Sequence, residues 1–127
     1  MSYYFSKVLD ATMDETYEKV SEALKTEGFG IVTDFDVSNA FKNKLGIDYR
    51  PYRILGACNP PFAKKAIDLD DKIGLLIPCN IILQQKGNVI EIIFIDPVVA
   101  MNLMDNPDIK IIADEIKMKL ENVFRLL

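Results

Sequence analysis

The stretch GLLIPCNIILQQKGNVIEIIFI, residues 74–95, decides the fold of this chain of 127 residues. Two apolar runs, 74–85 and 88–95, flank Lys86-Gly87, and a glycine at that place is typical of a tight turn between antiparallel strands. Pro78 lies inside the first run and cannot donate a ladder hydrogen bond, so we expect a sheet edge or a bulge there. The stretch therefore predicts a β-hairpin.

The residues before the hairpin alternate between strand and helix patterns. Residues 3–9 are rich in strand-forming side chains, and the sequence from Thr12 to Glu15 is typical of a capping box that opens a helix. Gly28 is expected to end that helix. Apolar residues then occupy alternate positions from Phe29 to Val37, except for one threonine, which predicts a half-buried strand.

Two short helices and a strand are predicted between that strand and the hairpin. We expect Ser38 to cap a helix that runs to Leu45, with extended chain over residues 49–57. Asn59 is expected to cap the next helix, because the two prolines that follow it suit a first helical turn.

A final helix is predicted after Asn106-Pro107. Apolar residues recur at helical spacing from Ile109 to Leu127, so we expect this helix to pack on the sheet. The whole order predicts one α+β domain over residues 1–127, with a mainly antiparallel sheet and helices on one face.

Composition limits the partners. Nineteen acidic residues against fifteen Lys and Arg give a net charge of -4, which repels a phosphate backbone, so we expect no nucleic-acid partner. No export signal follows Met1, and no apolar run approaches the roughly 20 residues of a membrane-spanning helix. We therefore expect a cytoplasmic protein that does not contact membranes.

The chain has no histidine. This excludes a Ser-His-Asp triad, a Cys-His dyad and any imidazole ligand to a metal. A general acid or base would have to be a carboxylate, lysine, tyrosine or thiol with a shifted pKa, or a group on a bound cofactor of unknown identity. Whether the chain catalyses any reaction stays open.

The two cysteines, Cys58 and Cys79, each precede an asparagine. If Asn59 caps a helix, Cys58 lies just outside the positive end of the helix dipole, and its pKa is expected to fall; a buried structural thiol is the alternative. Cys79 shares strand parity with apolar residues and is expected to face the core. The two thiols form a reversible disulfide only if their Cα atoms lie within roughly 7 Å.

The same two cysteines are weak candidates for a metal site. They supply half of a four-thiolate centre that a two-fold dimer would complete, or two ligands of a zinc ion that carboxylates would finish. The spacing is not the usual CxxC pattern, so the sequence does not predict a metal.

Polar residues form a second candidate site. By strand parity, we expect several of them to share the sheet face away from the helices and to line a cleft or to meet solvent; these are Asp34, Asp36, Arg53, Asn59, Asn80 and Glu91. Lys44 and Tyr52 lie close to this set in sequence and would complete a site for a small anionic ligand.

The segments ILGACNPPFAKKAI and IGLLIPCNIIL resemble the family catalogued as domain of unknown function 302. The likeness runs almost end to end and includes GFGIVTDFDV, the Asp96-Pro97 step and the DNP before the last helix. The resemblance implies a β-α-β4-α fold, similar in shape to half of the TATA-binding protein, and a homodimer. It implies no activity. Asp34 stands where we would expect glutamate in this family, which puts a reach-dependent role of that carboxylate in doubt.

Two functions follow from these patterns. The first is a small dimeric domain that binds a ligand or a partner without catalysis, because no complete catalytic constellation is present. The alternative is a thiol-dependent redox or sulfur-handling protein in which Cys58 attacks and Cys79 resolves.

Overall fold

The structure is a computed structural model that describes residues 2–127. Its strands are β1 (Tyr4–Leu9), β2 (Gly30–Asp36), β3 (Tyr52–Cys58), β4 (Cys79–Lys86) and β5 (Val89–Ile95). They form one sheet in the order β1-β5-β4-β3-β2, and every neighbouring pair is antiparallel. The predicted α+β class and the hairpin of β4 and β5 are confirmed.

Five α-helices accompany the sheet: α1 (Met13–Lys25), α2 (Val37–Leu45), α3 (Pro60–Leu69), α4 (Pro97–Met101) and α5 (Pro107–Arg125). A short 3-10 helix spans Ile73–Leu76. The chain thus follows the β-α-β4-α plan that the resemblance implied, with α2, α3, the 3-10 helix and α4 inserted between its main elements.

The core lies between one face of the sheet and helices α1, α3 and α5. Leu55, Leu83 and Phe94 from the central strands are fully buried there. The apolar stripe predicted for α5 is confirmed, since Ile109, Ile112, Ile116, Leu120 and Val123 are all buried. Burial of this stripe removes apolar surface from water and fixes the last helix on the sheet.

The N-terminus of α2 differs from the prediction. The helix begins at Val37 and its cap is Asp36, whose Oδ1 accepts hydrogen bonds from the Asn39 amide at 3.0 Å and the Ser38 hydroxyl at 2.8 Å. Ser38 was therefore the wrong cap by two residues, because the carboxylate before it is an equally good acceptor and reaches the free amides first. Gly46 ends the helix in the left-handed conformation.

The alternation predicted for β2 holds only at its start. A bulge between Ile31 and Thr33 shifts the register against β3, and Phe35 is 54% exposed. β2 is an edge strand of the sheet, and edge strands commonly contain such bulges.

The first arm of the hairpin is shorter than predicted. Residues 73–76 form the 3-10 helix, Pro78 follows a cis peptide bond, and the strand starts only at Cys79. The expected edge or bulge at Pro78 was wrong, because β4 is an inner strand and the proline lies just before it. Gly56 of β3 faces this proline: a Cβ atom on Gly56 would lie 2.5 Å from Pro78 Cγ and would also overlap Thr33 Oγ1.

Candidate functional site

The two Cys-Asn segments meet at one end of the sheet. In the pairing of β3 with β4, Ala57 lies opposite Cys79, and Gly56 lies opposite Asn80. Cys58 is thus one residue beyond the partner of Cys79, at the point where β3 gives way to α3. The sequence could not establish this neighbourhood, because it depends on the register between two strands about 20 residues apart.

Asn59 occupies the N-cap position of α3, but its side chain makes no capping hydrogen bond. Instead Nδ2 donates a hydrogen bond of 3.0 Å to the backbone carbonyl oxygen of Glu27, and the residue is only 8% exposed. The predicted position is correct and the predicted use of the side chain is wrong, since the amide joins α3 to the end of α1.

Cys58 is a half-buried free thiol, and burial raises its pKa. This contradicts the expectation that the helix terminus and nearby lysines would lower it. The lysines are engaged elsewhere: Lys64 forms an ion pair with Asp68 at 2.6 Å, and the Lys65 ammonium lies 5.2 Å from the centre of the Phe62 ring. Desolvation is the cause of the raised pKa at this sulfur.

Cys79 packs against the core, as its strand parity predicted. Burial, and then the charge of a neighbouring Cys58 thiolate, raises the pKa of Cys79 to about 11. Both cysteines are free thiols. Two thiols that resist ionisation are poor nucleophiles at neutral pH, so the structure gives no support to the thiol-dependent alternative.

Two adjoining cavities lie where the segments meet. The smaller, of about 20 Å³, is lined by both cysteines and by apolar side chains that include Phe62, Ile77 and Met101. The larger, of about 190 Å³, lies between the start of β4 and helix α4. Asn80 contributes an amide to its lining, and Cys79 contributes a thiol. The other walls are apolar: Leu75, Leu76, Ile77, Pro78, Ile95, Pro97, Ala100 and Met101.

The polar candidates divide between two places. One open depression of about 420 Å³ is lined by Asp34, Asp36, Tyr52 and Arg53. Asn59 and Asn80 lie at the opposite end of β3 and β4. Lys44 is exposed on α2 and does not line this depression. The predicted single polar cleft is therefore wrong.

The predicted sheet face of the acidic group is wrong as well. Arg53 shares strand parity with the buried Leu55, and its guanidinium lies 4.5 Å from the centre of the Tyr17 ring on α1, so it faces the helices. Arg53 Nε donates to Asp34 Oδ1 at 3.2 Å, and Nη2 donates to Oδ2. An aspartate at position 34 reaches the guanidinium without the extra methylene of a glutamate.

The carboxylates of this depression already have structural partners. Hydrogen bonds from the Asn39 amide and the Ser38 hydroxyl lower the pKa of Asp36, and the bond to Asp34 raises the pKa of Arg53. Groups that cap a helix or pair with each other have little capacity left for a ligand. We therefore assign this depression a structural role.

The outer face of the sheet, opposite the core, holds a polar network that the sequence did not predict. Arg50 Nε donates to Gln84 Oε1 at 2.9 Å, Gln84 Nε2 donates to Glu91 Oε1 at 2.9 Å, and Lys86 pairs with the same oxygen at 2.9 Å. Gln84 is only 6% exposed. Glu91 had been grouped with Asp34, but it contacts this network instead, because β4 and β5 place it opposite Gln84.

Apolar side chains surround that network on the outer face. Ile54, Ile82 and Ile93 form one row across β3, β4 and β5 and are half-buried. The edge strands β1 and β2 add exposed apolar side chains to this face: Tyr4 is 43% exposed, Val8 57% and Phe35 54%. Several exposed apolar side chains on one face of a sheet are typical of an interaction site.

Within residues 2–127, no three side chains of His, Cys, Asp or Glu come together as a metal cluster. Helices long and apolar enough to cross a membrane are likewise absent from that part of the chain.

Comparison with known proteins identifies a family and a similar solved structure. The family model described as Domain of unknown function DUF302 matches residues 5–127. The chain is similar to the crystal structure of the uncharacterized conserved protein DUF302 from Bacillus stearothermophilus, with a TM-score of 0.91 and 28% sequence identity over 99% of this chain and 98% of that chain. No curated protein matches. The resemblance that the two Cys-Asn segments indicated is confirmed.

Proposed function

This chain belongs to the family described as Domain of unknown function DUF302, and from that premise we propose that it is a small homodimeric domain that binds one neutral, mainly apolar ligand and catalyses no reaction. The observation that carries the proposal is the cavity of about 190 Å³ between β4 and α4. We place the domain in the cytoplasm, where its two free thiols stay reduced.

The size of this cavity defines the ligand. The space beside Ala100 and Pro97 opens to solvent at the strongly exposed Leu75, and its volume of about 190 Å³ is sufficient for one aromatic ring with a small substituent. Its walls carry no carboxylate, lysine or arginine. A charged ligand would find no side chain of opposite charge there, which favours a neutral molecule.

Asn80 supplies the polar contact. Its side chain lines the cavity and is exposed, so its amide is available to donate or accept a hydrogen bond. A few polar groups among apolar walls are typical of small-molecule sites. We therefore expect a ligand that combines a ring with a single hydroxyl, carbonyl or amide.

We assign the outer face of the sheet to a second copy of the chain. Its apolar rows would exclude water on association, and Arg50, Lys86 and Glu91 place both signs of charge within the same surface. A surface that carries both signs of charge is compatible with a two-fold copy of itself, because it repels that copy less than a surface of a single sign would. A nucleic acid would require a predominantly basic surface.

The ligand proposal is tested by titrating isotope-labelled protein with benzyl alcohol and following backbone amide shifts by NMR. We expect shifts that saturate and that concentrate in residues 75–80 and 95–101. Ala100→Phe should abolish them, because the new ring fills the cavity. Ala40→Phe, on the half-buried side of α2, is the matched control and should leave them unchanged. Shifts that are absent, or that persist in Ala100→Phe, contradict the proposal.

A further inference from the structure

The two edges of the sheet differ in how well they are protected against pairing with another strand. β2 forms one edge, and the bulge after Ile31 breaks its register. β1 forms the other edge and pairs with β5 in unbroken register from Tyr4 to Leu9. It contains no proline, and its one charged side chain, Lys7, donates to the Phe124 carbonyl oxygen at 2.9 Å. An edge strand without a bulge, a proline or a charge over the edge is a template for another strand.

The hydrogen bonds of β1 identify the backbone groups that face its open edge. The Asp96 amide donates to the Tyr3 carbonyl oxygen at 2.8 Å, so Tyr3 and every second residue after it face β5. The backbone groups of the alternate residues therefore point to the open edge: Tyr4, Ser6 and Val8. The Ser2 hydroxyl agrees with this orientation, since it accepts from the Tyr4 amide at 3.3 Å and donates to the Tyr4 carbonyl oxygen at 2.8 Å.

We infer that this edge pairs with β1 of a second copy of the chain, antiparallel and about a two-fold axis through Ser6. Directly opposed residues of antiparallel strands carry their side chains on the same face, so the axis must pass through a residue. Only an axis through Ser6 maps the three outward-facing residues onto one another. Tyr4 then lies opposite the partner's Val8, and Ser6 lies opposite the partner's Ser6. Each of these pairs exchanges two backbone hydrogen bonds.

The side chains in this register also suit a second copy. Tyr4 and Val8 are exposed apolar residues on the same face of the sheet, and an aromatic side chain opposite a β-branched one is a favourable cross-strand pair. Lys7 lies opposite the partner's Phe5. An axis through Lys7 would instead oppose two like charges, which is destabilising. The edge is thus complementary to itself in hydrogen bonds, in apolar contact and in charge.

The contact is small, because β1 has only six residues. Interfaces below roughly 1,200 Å² are typical of weak and transient association, so we expect edge pairing only at high protein concentration. It extends the sheet sideways, whereas the proposed dimer covers the outer face of the sheet. The two contacts therefore use different surfaces, and the edge contact does not rest on the proposed dimer or on the ligand cavity.

Sedimentation velocity over a concentration series tests the edge contact. The Ser6 amide makes no bond to β5, so Ser6→Pro should keep the sheet intact. The central pair loses both of its hydrogen bonds, and we expect the dissociation constant of the edge contact to rise at least about tenfold. Ser6→Ala keeps the amide and is the matched control. Wild type and Ser6→Ala should form dimers at micromolar concentration and pairs of dimers at millimolar concentration, whereas Ser6→Pro should remain a dimer.

Amide hydrogen exchange in the wild type, followed by NMR, is a second test that needs no variant to fold. The Ser6 amide faces the open edge and should exchange several-fold more slowly at millimolar concentration than in dilute solution. The Lys7 amide faces β5 and should exchange at the same rate in both.

The outcomes separate the edge contact from the proposed dimer. A wild-type dimer that becomes monomeric in Ser6→Pro would support the edge contact and contradict the interface on the outer face. Equal size of wild type and folded Ser6→Pro at every concentration would overturn the edge contact. Exchange at Ser6 that does not depend on concentration would overturn it as well.

Discussion

Asn59 is hydrogen-bonded through Nδ2 to the backbone carbonyl of Glu27, at 3.0 Å. The bond joins the start of α3 to the end of α1 and spans 32 residues of sequence. The Asn59 side chain also packs against the turn that follows α1. A Cβ atom on Gly28, where φ is +82°, would lie 3.3 Å from Asn59 Nδ2. The N-cap residue of α3, which directly follows β3, is thus held in place by the chain just after the first helix.

Removal of this amide should destabilise the protein. Asn59→Ala leaves the Glu27 carbonyl unpaired near a residue that is 8% exposed, so we expect a loss of about 1–3 kcal/mol in the free energy of unfolding. Urea unfolding followed by circular dichroism measures it. Asn43→Ala, at an exposed position of α2, should change stability by less than about 0.5 kcal/mol. Equal effects of the two substitutions would contradict the role of the bond.

Much of the fold was predictable because its signals are local. The capping box from Thr12 to Glu15 forms as expected, with both of its hydrogen bonds present. The stripe of α5 was predicted from spacing alone, since a helix of this length has one consistent buried face. The hairpin of β4 and β5 followed from its turn, and the β-α-β4-α order of elements followed from the family resemblance.

The candidate site was less predictable because it depends on contacts that are distant in sequence. The position of Asn59 was correct, but its partner on α1 lies 32 residues away and has no local signal. The bulge after Ile31 made parity unreliable along β2, and the sequence therefore placed Asp34 on the wrong face. Arg53 lies on β3, where it shares parity with the buried Leu55, so the bulge does not account for its misassignment. Asp36 was misassigned for a simpler reason: two acceptors, Asp36 and Ser38, competed for one cap.

Gly56 should tolerate no side chain. Gly56→Ala would drive its Cβ into the ring of Pro78, 2.5 Å away, and into Thr33, so the strands must move apart. We expect a loss of about 1–3 kcal/mol, the usual cost of an overpacked core. Gly30→Ala is the matched control in β2, where a Cβ would have nothing within 4 Å. Thermal unfolding of both variants tests the prediction, and an unchanged melting temperature for Gly56→Ala would refute it.

The two thiols should react slowly at neutral pH. Burial raises the pKa of both cysteines, to about 11 for Cys79, so less thiolate is present than in a free cysteine. Iodoacetamide labelling of Cys58→Ala and Cys79→Ala, read by mass spectrometry, reports each remaining thiol across a pH series without metal. Both rates should stay below that of the urea-unfolded protein at pH 7. A native thiol that reacts faster than its unfolded counterpart would revive the thiol-dependent alternative.

The same shift in pKa predicts how stability responds to alkaline pH. The Cys79 thiol ionises near its ordinary value of 9.0 when unfolded and only near 11 when folded, so the folded state holds the proton more tightly. Its contribution to stability is fully present below pH 9 and is lost as the pH rises towards 11. Cys79→Ala should flatten this decline in urea titrations between those limits. An identical decline in the wild type and the variant would show that other groups cause it.

A charge on the outer face should separate the proposed dimer without unfolding the chain. Val8 is 57% exposed and lies opposite Glu91 in the pairing of β1 with β5, so Val8→Glu would add a second carboxylate to the surface that we propose as the dimer interface. Like charges brought together at an interface cost several kcal/mol, and we expect the dissociation constant to rise at least tenfold. Ile111→Glu is the matched control, because Ile111 is also 57% exposed but lies on α5, away from this face. Sedimentation velocity should show a dimer for the control and a shift towards monomer for Val8→Glu, with unchanged circular dichroism. A monomeric wild type, or equal association of the two variants, would contradict an interface on the outer face. Val8 and Ile111 are equally exposed, so a difference in association between the two variants can arise only if the partner binds where Val8 lies.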